Sequence, residues 1–432
     1  MFNAFLLIVF SIFVIITGIQ LFKWNVIFGG AYFFLFIYSI FAQIGYCFFP
    51  ELSELSKAYF GQKYFYIFYA FNFLSFISFY FLCKISNLKN ERTPKFKVIQ
   101  GESKNNYYLF VFFVLFFCLF MLTYFIGNYN TINYANAGDE NFINSQGALY
   151  RVFTMSFKFM SPLCLILYVQ WRSKSTNRSF SRFKKSTTLF FLITFLSMFV
   201  IFANKLGSRT DILAFGLGVL VFEYSLGFDL KKVLAVLMCG LMFTVFLLYL
   251  ENSRTESSYE YSSSFEAFLM KDYYAPAHML YTALAYDYVK PLEVIASNFC
   301  NSLFLMNHPY LQAPITDLIN PNVATRSAGY AFYLFTEGYI FMGYLGFIYN
   351  ALMLFCGLKI FQFLASSDNK YFNHIIIAII CSQFANIARS QSSYFIKDIY
   401  MLFIPVYIMI FLSTGFRPKF TYKKGIQLNE NL

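Results

Sequence analysis

Residues 108–127 read YLFVFFVLFFCLFMLTYFIG, twenty positions without one charged side chain. A helix of that length rises about 30 Å, the thickness of a bilayer's hydrocarbon core. Lipid offers the backbone no hydrogen-bond partners, so a segment this apolar must satisfy its own N–H and C=O groups, which an α-helix does. The two flanks differ in sign. Residues 84–107 carry Lys84, Lys89, Arg92, Lys95, Lys97 and Lys104 against Glu91 and Glu102, whereas residues 128–149 carry Asp139 and Glu140 and no Lys or Arg. Basic loops stay on the cytoplasmic side of a membrane. One stretch with its flanks therefore sets both the solvent of the fold and its orientation.

The same reading extends along the chain. Of the 432 residues 59% are hydrophobic and 12% charged, against about 45–50% and about 25% in soluble domains. A soluble enzyme and a disordered chain are both excluded. Candidate spans lie near 4–22, 28–49, 62–83, 108–127, 151–171, 187–204, 211–228, 233–250, 338–362, 373–388 and 399–416, about eleven with a range of ten to twelve. Residues 172–185 hold six basic residues and no acid. Lys231, Lys232 and the tail (Arg417, Lys419, Lys423, Lys424) extend the cytoplasmic set, leaving the C-terminus inside. The net charge of +12 is read as this bias. No Lys/Arg stripe is interleaved with aromatics, so nucleic acid is not expected as a partner.

The expected fold is all-α: a single polytopic membrane domain over 1–432 with one large external loop at 251–337. Stretches of that loop, such as FEAFLMKDYYAPAHMLYTALAY, are amphipathic and suggest helices lying in the membrane interface. The eight cysteines are scattered singly, and His278, His308 and His374 form no HExxH. Neither a disulfide framework nor a metal site is expected.

Ionisable groups near membrane depth carry the functional interest, because they are costly there. The positive-inside bias should deplete external arginines, yet Arg209, Arg254, Arg326 and Arg389 all fall on the outer side, with Arg151 at a helix start. Arg209, in NKLGSRTDIL, is read either as a short-loop ion pair with Asp211 or as a phosphate clamp, since a guanidinium grips phosphate oxygens bidentately. Arg389, in NIARSQSSYF, has hydroxyls nearby. Arg254 leads the large loop and Arg326 precedes the next span; Arg151 reads better as an interface anchor. Glu337 stands among apolar and aromatic residues in FYLFTEGYIFMGYLGFIY. It is read as a general acid or base, or as one half of an ion pair joining two helices. Gly338, Gly343 and Gly346 thin that helix for close packing. His308 is either an acid–base or phosphate partner or an ordinary loop histidine. His278 and His374 are read as structural. Such an outer face suits an anionic, lipid-linked ligand.

At these residues the chain resembles the O-antigen polymerase (Wzy-type) family. The resemblance rests on GSRTDILAFGLG at 207–218, on the 251–337 loop, on SAGYAFYLFTEGYIFMGYLG at 327–346 and on the Arg-Ser of NIARSQSS. It covers roughly residues 200–400. The resemblance implies a periplasmic-face glycosyltransferase of a bacterial inner membrane, working without metal or other cofactor. Such an enzyme moves a growing glycan from undecaprenyl diphosphate onto the non-reducing end of a new lipid-linked repeat unit. A chain-length regulator is a further possible partner. On this reading Arg209 and Arg254 act with Glu337 in catalysis, Arg389, Arg326 and His308 bind substrate, and Tyr273, Tyr274 and Tyr281 stack on its sugars. The related O-antigen ligase and a flippase or transporter of lipid-linked oligosaccharide remain as alternatives. The ligase pattern of His followed by spaced Glu is absent after His308. A transporter would favour two related halves, which the sequence does not show.

Overall fold

A computed structural model describes residues 2–48, 62–88, 107–129, 131, 147–172, 178–206, 215–216, 218–220, 275–289, 312–319, 332–366 and 370–414. Among these the regular structure is helical throughout, with no strand. The long helices are α1 (Phe2–Trp24), α2 (Val26–Phe48), α3 (Gln62–Ile85), α4 (Tyr107–Ile126), α5 (Ala148–Arg172) and α6 (Arg178–Leu206). From the large loop come two short helices, α7 (Ala275–Ala285) and α8 (Gln312–Ile319). The C-terminal part holds α9 (Leu334–Met342), α10 (Gly346–Leu364), α11 (Lys370–Ser382), α12 (Phe384–Ala388), α13 (Ser393–Asp398) and α14 (Ile404–Thr414).

Among the described residues six segments are long and apolar enough to cross a membrane, and three shorter apolar helices, Val26–Ile40, Leu189–Phe202 and Ile375–Ala388, accompany them. Large apolar side chains point outward along α1 (Ile8, Ile12, Ile19), α4 (Val111, Leu115, Leu122) and α6 (Leu189, Ile193, Leu196). An outer face of that extent belongs against lipid rather than water. The chain is thus an all-α protein of membrane type. The spans expected near 211–228 and 233–250 lie outside the described residues, apart from 215–216 and 218–220.

Phenylalanine also builds the interior. Phe157 of α5 stacks on Phe202 of α6 at 4.2 Å between ring centroids and 17° between planes. Phe153 stacks on Phe120 of α4 at 4.7 Å. These offset arrangements hold α4, α5 and α6 together where aliphatic chains would leave gaps. α1 and α2 fold back on each other at Asn25, whose Oδ1 accepts from the Ile27 N–H at 3.0 Å and so caps α2. α3 and α10 pack as neighbours, with α2 and α9 beside them; α11 bridges this group to α5.

The stretch Leu334–Leu364 is apolar over 31 residues, and the sequence reading takes 338–362 as one span. The structure divides it. Gly343 adopts φ +55°, a left-handed conformation that a side chain disfavours, and ends α9. A turn over Gly343–Leu345 follows, and α10 begins at Gly346. In one continuous helix Phe335 and Asn350 would stand roughly 22 Å apart along the axis. Instead Asn350 Nδ2 donates to the Phe335 carbonyl at 2.9 Å. α9 is therefore a half-helix folded back on the first turns of α10. The close approach is made at two glycines: a Cβ on Gly346 would lie 2.0 Å from the Gly338 carbonyl oxygen.

α7 also departs from expectation. Every residue from His278 to Leu284 is buried, and the helix touches α2, α3, α8 and α9. It is enclosed on all sides rather than lying one-faced in an interface. Its sequence is too uniformly apolar or small, from Met279 to Leu284, to expose a polar face.

Candidate functional site

Glu337 sits in the middle of α9 with no exposed surface. Its partners come from two other elements. The Ser392 backbone N–H donates to Oε2 at 2.5 Å, and the Ser392 hydroxyl donates to Oε1 at 2.7 Å. The Tyr349 hydroxyl, from α10, donates to Oε1 at 3.2 Å and lies 3.3 Å from the Ser392 hydroxyl. Three donors thus converge on one carboxyl group. A carboxylate offers about four acceptor positions over its two oxygens. Among the described residues Oε2 has one of its positions filled, while the opposite oxygen receives two hydroxyls.

The fold-back creates this arrangement. Glu337 and Tyr349 are twelve positions apart in sequence, and only the break at Gly343 brings them face to face. Asn350 staples the two arms. Its Oδ1 accepts from the Gly338 N–H at 3.1 Å, and its Nδ2 donates to the Phe335 carbonyl and to the Ser75 hydroxyl of α3 at 3.2 Å. Further along the seam the Tyr333 hydroxyl donates to Asn72 Oδ1 of α3 at 2.7 Å. Tyr339 donates to Asp287 Oδ1, just beyond α7, at 2.9 Å. Buried polar groups of this kind rigidify a core when every member is satisfied.

Arg389 directly follows α12, three residues before Ser392. Its guanidinium lies 6.0 Å from the ring centroid of Tyr38 on α2, a cation–π contact. It does not bond Glu337, whose partners among the described residues are two hydroxyls and an amide. The ion-pair reading of Glu337 is corrected accordingly for Arg389: a hydroxylated loop, rather than a guanidinium, ties α9 to the α12–α13 connection. Arg151 is exposed at the start of α5, as an anchor would be. Arg209, Arg254, Arg326 and His308 lie outside the described residues, as do Tyr273 and Tyr274.

One other expectation, that for Tyr281, resolves differently. Tyr281 does not offer a ring face to a ligand, because it stacks on Phe68 of α3 at 4.1 Å and 15° and is fully buried. His278 is enclosed in α7, and burial pushes its imidazole down to about 4. That places it as a neutral core histidine. Among the described residues no group of three or more His, Cys, Asp or Glu could hold a metal ion.

Ser392, Tyr349, Asn350, Asn72 and Ser75 escaped the sequence reading. Signals for some were present. Asn72 and Ser75 are three apart within an apolar span, which puts both on one helix face. The SQSS run beside Arg389 supplied hydroxyls without indicating which one mattered. Tyr349 gave no signal, since 35 tyrosines populate the chain. No family model, curated protein or solved structure matches the chain.

Proposed function

We propose that this protein is an integral-membrane glycosyltransferase that polymerises lipid-linked oligosaccharide repeat units at the outer face of a bacterial inner membrane. In this reading the C-terminus is cytoplasmic, and the 251–337 loop lies on the periplasmic side. An acceptor sugar hydroxyl attacks the anomeric carbon of the donor glycan. The new glycosidic C–O bond forms as the bond to undecaprenyl diphosphate breaks. The hydroxyl proton passes to the Glu337 carboxylate, and the diphosphate leaves with the bonding electron pair. Arg209, Arg254 and Arg389 hold the two diphosphates, with Arg326 and His308 as further contacts. Preorganised cations can stabilise such a leaving group.

The observation that supports this best is the carboxyl group of Glu337 on a broken helix. A half-helix at membrane depth is tolerated where protein or an aqueous cavity encloses it, and an ionisable side chain there marks a functional site by default. Three hydrogen-bond donors fix the carboxyl group, and among the described residues one Oε2 position has no donor and could take a substrate hydroxyl. The test is a surface-polysaccharide gel from a strain lacking the gene. Core bearing a single repeat unit, with the ladder lost, is the expected pattern. Plasmids carrying Glu337→Ala or Arg209→Ala should fail to restore the ladder; normal polymer length from either would remove that residue from the mechanism.

The broken helix also favours a second reading, a flippase or transporter for the same lipid-linked glycan, because transporters bind cargo at discontinuous helices. In that case the deletion strain would lose even the single repeat unit and accumulate lipid-linked units on the cytoplasmic face.

A further inference from the structure

Most buried hydroxyls in these helices find a carbonyl one turn back. Thr17 bonds Phe13, Thr123 bonds Leu119 and Thr282 bonds His278, each to the backbone oxygen four residues earlier. Thr336 does not. α9 starts only at Leu334, and Tyr333 before it is extended, so no helical carbonyl stands four residues back. Thr336 Oγ1 is buried and has no hydrogen-bond partner among the described residues. Gln391 is also buried, at 4% exposure, and its Oε1 is likewise without a partner.

Leaving a buried polar atom unsatisfied is costly, and each instance calls for an explanation. These two hold matching places in the sequence. Thr336 precedes Glu337, Gln391 precedes Ser392, and Glu337 and Ser392 are bonded to each other twice. Asn25 and Thr316 also carry unpartnered buried atoms, but neither adjoins in sequence a residue bonded to Glu337. Within one residue in sequence of a single bonded pair the chain thus carries three groups left incomplete among the described residues: a hydroxyl that can donate and accept, an amide oxygen that accepts, and one acceptor position on Glu337 Oε2.

From this we infer that Thr336 and Gln391 are ligand-binding residues that contact the hydroxyl groups of a sugar seated against Glu337. The set holds acceptors and one hydroxyl but no cation, so it fits a neutral polyhydroxylated group and repels a diphosphate. The sugar and the diphosphate of a lipid-linked substrate would then occupy separate places, the second at the arginines. The inference rests on the glycosyltransferase reading and names the residues that meet its glycan.

The structure gives the test an unusual sign. Thr336→Val keeps the shape while removing a hydroxyl that has no partner among the described residues, and it should melt at the wild-type temperature or a few degrees above it. Gln391→Met removes the unpartnered Oε1 together with the amide nitrogen, so it is read by its KM and not by its melting temperature. If the atoms bind sugar, each variant should also show an apparent KM raised about tenfold, the loss of roughly one hydrogen bond. The substrate would be lipid-linked repeat units extracted from a strain lacking the gene, with the full-length protein in lipid nanodiscs. Thr336→Ser, which keeps the hydroxyl, should retain the wild-type KM whatever its melting temperature. An unchanged KM in both Thr336→Val and Gln391→Met would overturn the inference while leaving the glycosyltransferase reading in place. Should the wild type itself fail to polymerise, that reading fails. The inference is then decided by binding, as the thermal shift that the same lipid-linked units produce. A shift seen with wild type and Thr336→Ser but lost in the other two variants supports it, and equal shifts in all four, or none in any, overturn it.

Discussion

Replacing Gly346 by alanine tests the fold-back of α9 on α10. The added Cβ would lie 2.0 Å from the Gly338 carbonyl oxygen and 2.6 Å from the Tyr339 nitrogen, both backbone atoms that cannot swing aside. Carbon–oxygen contacts settle at about 3.3–3.6 Å, so the two arms must part by roughly 1.5 Å. The staple from Asn350 cannot follow. Its bonds to the Gly338 N–H at 3.1 Å and to the Phe335 carbonyl at 2.9 Å both stretch beyond useful range. Overpacking costs about 1–3 kcal/mol, and orphaned buried groups add about 1–3 kcal/mol, which gives about 2–6 kcal/mol in all. For a chain this long, at roughly 1–2 °C per kcal/mol, Tm should fall by roughly 5 °C. The assay is thermal unfolding of the nanodisc-embedded protein, followed by intrinsic fluorescence. Gly216→Ala is the control, because a Cβ there meets nothing within 4 Å among the described residues and alanine suits a helix better by about 0.5–1 kcal/mol. If Gly346→Ala melts with the control, α9 does not pack on α10, and the geometry around Glu337 falls with it.

Two further outcomes follow from single side chains. Asn350→Leu removes the bonds to Gly338, Phe335 and Ser75 together; leaving the Gly338 N–H and the Phe335 carbonyl unsatisfied should cost about 3 kcal/mol and lower Tm in the same assay. His278 is held at about 4 against an ordinary 6.5 because burial disfavours its charged form. As pH falls through 6.5 the unfolded chain takes up a proton that the folded one refuses. The stability contributed by the neutral imidazole is therefore complete above about pH 6.5 and is lost progressively down to about pH 4, by on the order of 3 kcal/mol. His278→Leu should flatten that part of the stability–pH profile, and an unchanged profile would refute the enclosed, neutral placement of this residue.

The sequence by itself determined the solvent and the element type. A run such as 108–127 has no charge to place in water and no partner in lipid for its backbone, so it must be helical, and α4 spans Tyr107–Ile126. Glu337 was legible for the same reason: a lone acid among Phe, Tyr and Leu is expensive unless something receives it. Tertiary structure alone decided what receives it. Hydropathy averages over a window and cannot see a chain reverse inside an apolar stretch, so 338–362 read as one span although Gly343 breaks it. That reversal sets Tyr349 and Ser392 on the carboxyl group, where sequence offered the arginines. α7 illustrates the same limit. Its composition suggested an interfacial helix, but whether a moderately apolar segment lies on a surface or inside a bundle depends on the room its neighbours leave. Here α2, α3, α8 and α9 close around it. Period and polarity are local properties of a chain. The pairing of one carboxyl group with a hydroxyl fifty-five residues away is a property of packing, and it became visible only once the helices were in place.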